Sequence, residues 1–265
     1  MKRSLFASPR YGLLVVASIA LAGLLAACPS RTRLEGADMD ALRESYQGQT
    51  FYLRQSLYHG RFYDDDHRRL VDAHAFKDLK LMTAPDGEII IPPPPDGILP
   101  AGTRVEVLDV EFPTSGAIVK RPLFTPRYNV WVTLKVGRVS GDLALFKPEE
   151  HVWVLPTTVR SMDAIRASLE ALLSAEPLDP WLARRSEAAR LAIFEKRAEQ
   201  GLSTEELTAA LGLPETLHRS FEGEQRIERA LFGGTEVTLV DGVVTEIRDA
   251  APSENASSSS SSPAE

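Results

Sequence analysis

Leu202-Ser-Thr-Glu-Glu-Leu207, continued by Thr208-Ala-Ala-Leu-Gly-Leu-Pro214, contains a helix with both its start and its stop written into the residues. Ser203 is placed to cap the first turn, and Glu206, three residues on, returns the bond to the backbone of Ser203, which makes a capping box. Leu202 and Leu207 flank that cap as a hydrophobic staple, while Leu207, Ala210 and Leu211 supply the inward face. Gly212 offers a left-handed position just past the end, and Pro214 cannot continue the helix. The period then changes. Residues 215–221, 226–232, 235–240 and 243–248 are short strand-like runs, and Asp241-Gly242 between the last two is the signal of a type I′ hairpin. A two-residue loop sets Leu239 opposite Val244, which groups Val237, Leu239 and Val244 on one face but leaves Ile247 on the other; a bulge or a longer loop restores it.

Upstream, Ile165, Leu169, Leu172 and Leu173 fall at helical spacing, and the pattern stops before Pro177. A second helix is expected from Asp179 as N-cap and Pro180 at the first position, carried towards Gly201 by Leu182, Ala189, Ala192, Ile193 and Phe194. Glu187, Arg190, Glu195, Lys196, Arg197 and Glu199 read as its solvated face. Before Thr157 the punctuation is that of strands. Residues 129–140 alternate, with Val130, Val132, Leu134 and Val136 against Trp131, Thr133 and Lys135. The run 103–112 changes parity between Val107 and Leu108, which predicts a bulge there. Shorter strands are expected at 143–146 and 151–155. Pro85-Asp86-Gly87 marks a turn between 80–83 and 88–91, and Pro92 to Pro95, which donate no backbone hydrogen bond, read as an extended loop. Trp131 and Trp153 stand as either exposed aromatics or packing residues.

The fold class that follows is α+β: a small β-barrel or curled antiparallel sheet over 46–156, then helices and a three- or four-stranded antiparallel sheet over 159–249. Residues 250–265, with their serine run, read as a disordered tail.

Two resemblances attach to these segments. Leu99-Pro-Ala-Gly-Thr-Arg-Val-Glu-Val-Leu108 resembles the opening strand of bacterial SH3-like domains, which implies a groove for peptide or cell-wall fragments. Gly201 to Leu207, then Ala210-Leu-Gly-Leu-Pro214, then Val237-Thr-Leu-Val-Asp-Gly-Val-Val-Thr-Glu-Ile247 resemble the helix, turn and closing hairpin of the SmpA/OmlA (BamE-like) lipoproteins, over roughly residues 190–249. That resemblance implies a helix-helix-sheet module and an accessory role in outer-membrane assembly. The chain departs from the family at Arg226 to Phe232, where relatives often carry Trp or Tyr, and in the large unit before Val159.

At the start of the chain, Lys2, Arg3 and Arg10 precede an uncharged run at 11–27 that ends in Leu25-Ala-Ala-Cys28. This resembles a bacterial lipobox, which implies a signal peptide over 1–27, lipidation of Cys28 and a tether over 28–45. A retained membrane helix is disfavoured by the shortness of the run, and an ordinary secretory cut by Leu25, which is not small. Cys28 is the only cysteine, so the chain holds no internal disulfide. A diacylglyceryl anchor with a further acyl chain binds a membrane in effect permanently. Pro29 stands where an aspartate would signal inner-membrane retention, so the expected address is the outer membrane, facing the periplasm. The formal charge of −7 includes the three leader cations, so the mature chain is more acidic still, which argues against nucleic acid as a partner.

Residues 58–69 gather His59, Asp64, Asp65, Asp66 and His67 into a polar patch. Three consecutive aspartates lack the alternation and central glycine of a calcium loop, and His59, His67 and His74 are not at zinc spacing. A solvated loop is expected, with no metal and no cofactor. No Gly-x-Ser-x-Gly, His-Glu-x-x-His or phosphate-binding glycine loop occurs, so no catalytic residue is assigned and an enzyme is not expected. The expected function is a membrane-anchored envelope lipoprotein with a non-catalytic interaction or scaffolding role and an envelope-protein partner. Two alternatives stand beside it: an SH3-like binder of peptidoglycan or peptide, and a periplasmic hydrolase whose Asp, Glu and His converge only in space.

Overall fold

The computed structural model describes residues 36–136 and 150–250; the expected signal peptide, Cys28, the strand at 143–146 and the serine-rich tail lie outside them. The described chain opens with helix α1, Gly36–Tyr46, so residues 36–45 of the expected tether over 28–45 are corrected to a helix. Leu42 of α1 is buried, and Arg43 reaches Asp109 at 3.1 Å, so this helix is packed on the body.

Strands β1 (Thr50–Leu53), β2 (Leu57–Phe62), β3 (Asp65–Asp72), β4 (Pro95–Leu99) and β5 (Arg104–Glu111) follow. Helix α2 (Ser115–Lys120) leads to β6 (Trp131–Val136) and β7 (Glu150–Val154), and α3 (Met162–Leu172) leads to the two-residue β8 (Leu173–Ser174). These strands form one eight-stranded sheet in the order β4-β2-β3-β7-β6-β5-β1-β8. Every neighbouring pair is antiparallel except β3 and β7, which run parallel. The expected small barrel or purely antiparallel sheet is therefore corrected to an open, mixed sheet. Its edges explain the openness: β4 begins with Pro95, and β8 has two residues, so neither offers a ladder long enough to close on the other.

The expected loop at 58–69 is also corrected, since it folds as the β2–β3 hairpin. Phe62 and Leu70 enter a core with Phe76, Trp131, Val152 and Val154, and this apolar burial outweighs the local polarity. Tyr63 turns the hairpin at φ 49°. The aspartates serve the turn: Asp65 is buried and accepts from the His67 amide at 2.9 Å and from Arg68 at 2.8 Å, while Asp66 pairs with Arg61 at 2.9 Å. Trp131 is a packing residue, edge-on to Phe62 at 5.1 Å with its indole N–H donated to Pro126 O at 2.9 Å. The bulge expected near Val107-Leu108 is present as a register shift between Val107 and Asp109. The Pro85-Asp86-Gly87 turn closes only an isolated bridge from Thr83 to Ile89.

In α3 the inward residues are Ile165, Leu169 and Leu172, as their spacing predicts. The single helix expected from Asp179 is instead two, α4 (Asp179–Leu182) and α5 (Glu187–Phe194). Ser186 restarts it by accepting from the Ala189 amide, so a strong N-cap inside the run divides it. Helix α6 (Thr204–Leu211) carries the full Ser203–Glu206 capping box and ends at Gly212 with φ 90°. Four strands follow, β9 (Thr216–Glu222), β10 (Gln225–Phe232), β11 (Thr235–Val240) and β12 (Val243–Asp249), in an antiparallel meander. Asp241 and Gly242 sit at φ 51° and 82°, the signs that a type I′ turn requires. Leu239 pairs with Val244, and a register shift next to Thr238 brings Ile247 opposite Val237. Ala189, Ala192, Leu202, Leu207, Ala230, Val237, Leu239 and Val244 form the core under this sheet.

The described residues belong to one compact unit, and hydrogen bonds cross the boundary expected near 157. β8 pairs with β1. The Ser56 hydroxyl donates to Ile193 O at 2.7 Å and accepts from the Ala101 amide at 2.9 Å.

Candidate functional site

Lys196 follows α5 with a left-handed φ of 54°, a conformation that periodicity does not foretell for a lysine. The expectation that it lies on a solvated face is corrected, because the side chain is buried. Its ammonium donates to Ser56 O at 2.7 Å and to Ala210 O at 2.9 Å and lies 5.0 Å from the centroid of the Tyr58 ring. One cation therefore ties the β1–β2 connection to the last turn of α6. Burial pushes it down to about 7, and the negative charge of Asp72 opposes the shift.

Lys196 also lines a cleft of about 510 Å³ with Tyr58, His74, Lys77, Asp78 and Phe232. His74 is one of several titratable groups there, and it is held by a carboxylate. Its Nδ1 lies 3.0 Å from Asp72 Oδ1, and the same oxygen accepts the His74 backbone amide at 2.8 Å. The hydrogen bond to Asp72 raises the His74 pKa against an opposing contribution from burial. The pair can hold a proton and offer it to a bound group. Among the described residues lining the cleft there is no serine or cysteine, and the Lys196 amine is committed to two carbonyls.

The other residues singled out in the sequence do not join this site. His59 packs edge-on to His151 with centroids 5.9 Å apart, and the aspartates build the β2–β3 turn. Among the described residues no group of three or more His, Cys, Asp or Glu side chains is gathered as a metal site. Cys28 lies outside the described residues.

The second feature is the free edge of the meander. In an antiparallel ladder directly paired residues share a face. Leu217 pairs with Ala230, which pairs with Val237, so Leu217 belongs to the face that the helices cover in β10 and β11. Phe221, four residues along the same strand, shares that face. Yet every residue of β9 is exposed, and Phe221 is 72% accessible. The cover ends one strand before the sheet does. Between the two apolar residues, Arg219 reaches over to the buried Glu228 at 2.8 Å. Leu213, just before β9, is exposed as well. This uncovered strip was not visible in the pattern of 215–221, since burial depends on how far the helices extend.

These features define an α+β protein in which an open mixed sheet is joined to a helix-covered antiparallel meander. No family model, curated protein or solved structure matches the chain. Among the described residues no helix is long and apolar enough to cross a membrane.

Proposed function

We propose that the chain is a lipid-anchored envelope lipoprotein, held at the outer membrane through Cys28 and acting by protein contact, as an interaction or scaffolding element in outer-membrane assembly or integrity. The observation that carries the contact reading is the uncovered strip of β9. Leu217 and Phe221 continue the face of a packed core without the helices that cover it elsewhere, and the strand edge offers backbone groups to an added strand. A BamE-like relationship is supported by α6, the turn at Gly212 and the Asp241-Gly242 hairpin, which occupy the segments that carry the resemblance. Catalysis has no part in this reading.

A photo-crosslinking residue at Phe221, introduced in intact cells, tests it. Capture of an envelope protein is the expected outcome, with loss of that product when Leu217 is replaced by Glu. Recovery of cell-wall fragments alone would instead support the SH3-like binder of peptidoglycan.

A hydrolase is the second reading, favoured by the Asp72–His74 pair on the cleft. Hydrolysis of an ester or amide probe, abolished by His74→Gln, is its signature. Activity that survives His74→Gln would remove it.

A further inference from the structure

Between β5 and β6 the chain makes a second exposed apolar surface, in addition to the β9 strip. Val119 is 79% exposed, Leu123 68%, Phe124 57% and Tyr128 71%, four large apolar or aromatic side chains within ten residues. Scattered single exposures are ordinary, whereas a cluster of this kind marks a contact surface. Slack does not explain it, because the segment is fixed from below. Arg121 is buried, its guanidinium 4.0 Å from the Trp131 ring centroid, and it donates to Arg127 O at 2.6 Å, to Asn129 O at 2.7 Å and to Glu111 O at 3.0 Å. Arg127 in turn donates to Ile118 O at 2.9 Å, and Thr125 to Pro122 O at 2.8 Å. The polar groups of the loop are thus satisfied inward, and the apolar ones are left pointing out.

The charge around this surface selects its occupant. Residues 112–136 contain Lys120, Arg121, Arg127 and Lys135 and not one Asp or Glu, in a chain whose formal charge is −7. Lys120 is exposed beside the apolar cluster. Arg121 is paired with Glu111 at 3.1 Å and Lys135 with Glu106 at 3.6 Å, so the exposed cation at the margin is Lys120. Apolar and aromatic side chains beside such a cation suit the interface of an anionic bilayer, where acyl chains take the apolar groups and headgroups take the charge.

We infer that Val119, Leu123, Phe124 and Tyr128 form a platform that dips into the surface of an anionic phospholipid bilayer. Chain length permits it: seven residues lie between Cys28 and Gly36, and the steps from one to the other span at most about 28 Å when extended. Arg43 of α1 shares a cleft with Lys120 and Arg121, so the helix that begins at Gly36 leads back to the platform. This reach rests on the lipid anchor proposed above, whereas the composition of the platform does not.

The test uses the full chain, purified from membranes and reconstituted in vesicles of phosphatidylethanolamine and phosphatidylglycerol, with and without bromine on the acyl chains. Phe124→Trp adds a reporter on the platform and Phe221→Trp one on β9. Brominated lipid is expected to quench the emission added by Phe124→Trp about twofold, as insertion to the acyl boundary requires, and to leave that of Phe221→Trp unchanged. An unquenched Phe124→Trp, or stronger quenching at Phe221→Trp, overturns the inference. So does a wild-type dimer that Phe124→Asp converts to a monomer while Phe124→Trp stays unquenched, because the patch then faces a second copy. Mass spectrometry of the same preparation separates the two proposals. Quenching at Phe124→Trp with an unmodified Cys28 sinks the anchor and upholds the platform, and a lipidated Cys28 without quenching does the reverse.

Discussion

Lys196 and His74 both feel the charge of Asp72, yet they give stability opposite dependences on pH. The Lys196 ammonium is held down to about 7, so between there and its unfolded value near 10.4 the unfolded chain binds the extra proton. Stability therefore rises with pH across that window, by about 2 kcal/mol between pH 7 and 9 from this group. His74 is raised, so its contribution is fully present below about 6.5, the unfolded value, and is lost as pH climbs through the folded one. Urea midpoints measured from pH 5 to 9 check both signs. Lys196→Met should flatten the alkaline rise, and His74→Gln the acid-side gain. A Lys196→Met profile parallel to the wild type would show that the amine is not desolvated as described. Neither role was legible from the sequence. Lys196 falls among six charged residues whose spacing suits a wet helix face, and only its left-handed backbone takes it inward.

Elements whose instructions are local are legible in the sequence. The Ser203–Glu206 box, the stop at Gly212, the type I′ turn at Asp241-Gly242 and the Leu239–Val244 register all depend on residues within a few positions of one another. Ser203→Ala should cost about 1 kcal/mol, the usual loss for an N-cap, seen as a lowered unfolding midpoint with unchanged cooperativity. The β2–β3 hairpin was not legible because its polar residues mask two anchors, Phe62 and Leu70, whose burial is decided by strands far away in the chain. The division of α4 from α5 is hidden in the sequence for a different reason. Pro180 and the apolar residues beyond it fit one continuous helix, and Ser186 reads as a cap only once the chain has turned there.

For the whole molecule, the change from strand-like to helical pattern at Thr157 is real, but the residues on its two sides share hydrogen bonds. Ser56 receives the Ala101 amide, donates to Ile193 O and offers its own carbonyl to Lys196, so the large sheet and the helices of the meander meet at one residue. Unfolding followed by tryptophan fluorescence and by far-ultraviolet circular dichroism should give coincident transitions, since Trp131 lies in the large sheet and Trp181 in α4. Ser56→Ala should lower the unfolding free energy by about 1 to 3 kcal/mol, and the common midpoint with it, because two buried groups lose their partner. Two separate transitions would mean that the contacts around Ser56 and Lys196 do not couple the parts.

The central proposal, a lipid-anchored envelope protein, rests on one atom, the sulfur of Cys28. Mass spectrometry of the protein recovered from the membranes of its native host tests it most directly. The account predicts a mature N-terminus at Cys28 carrying diacylglyceryl and acyl groups, with no peptide from residues 1–27. An unmodified Cys28, or a chain that still begins at Met1, would contradict it.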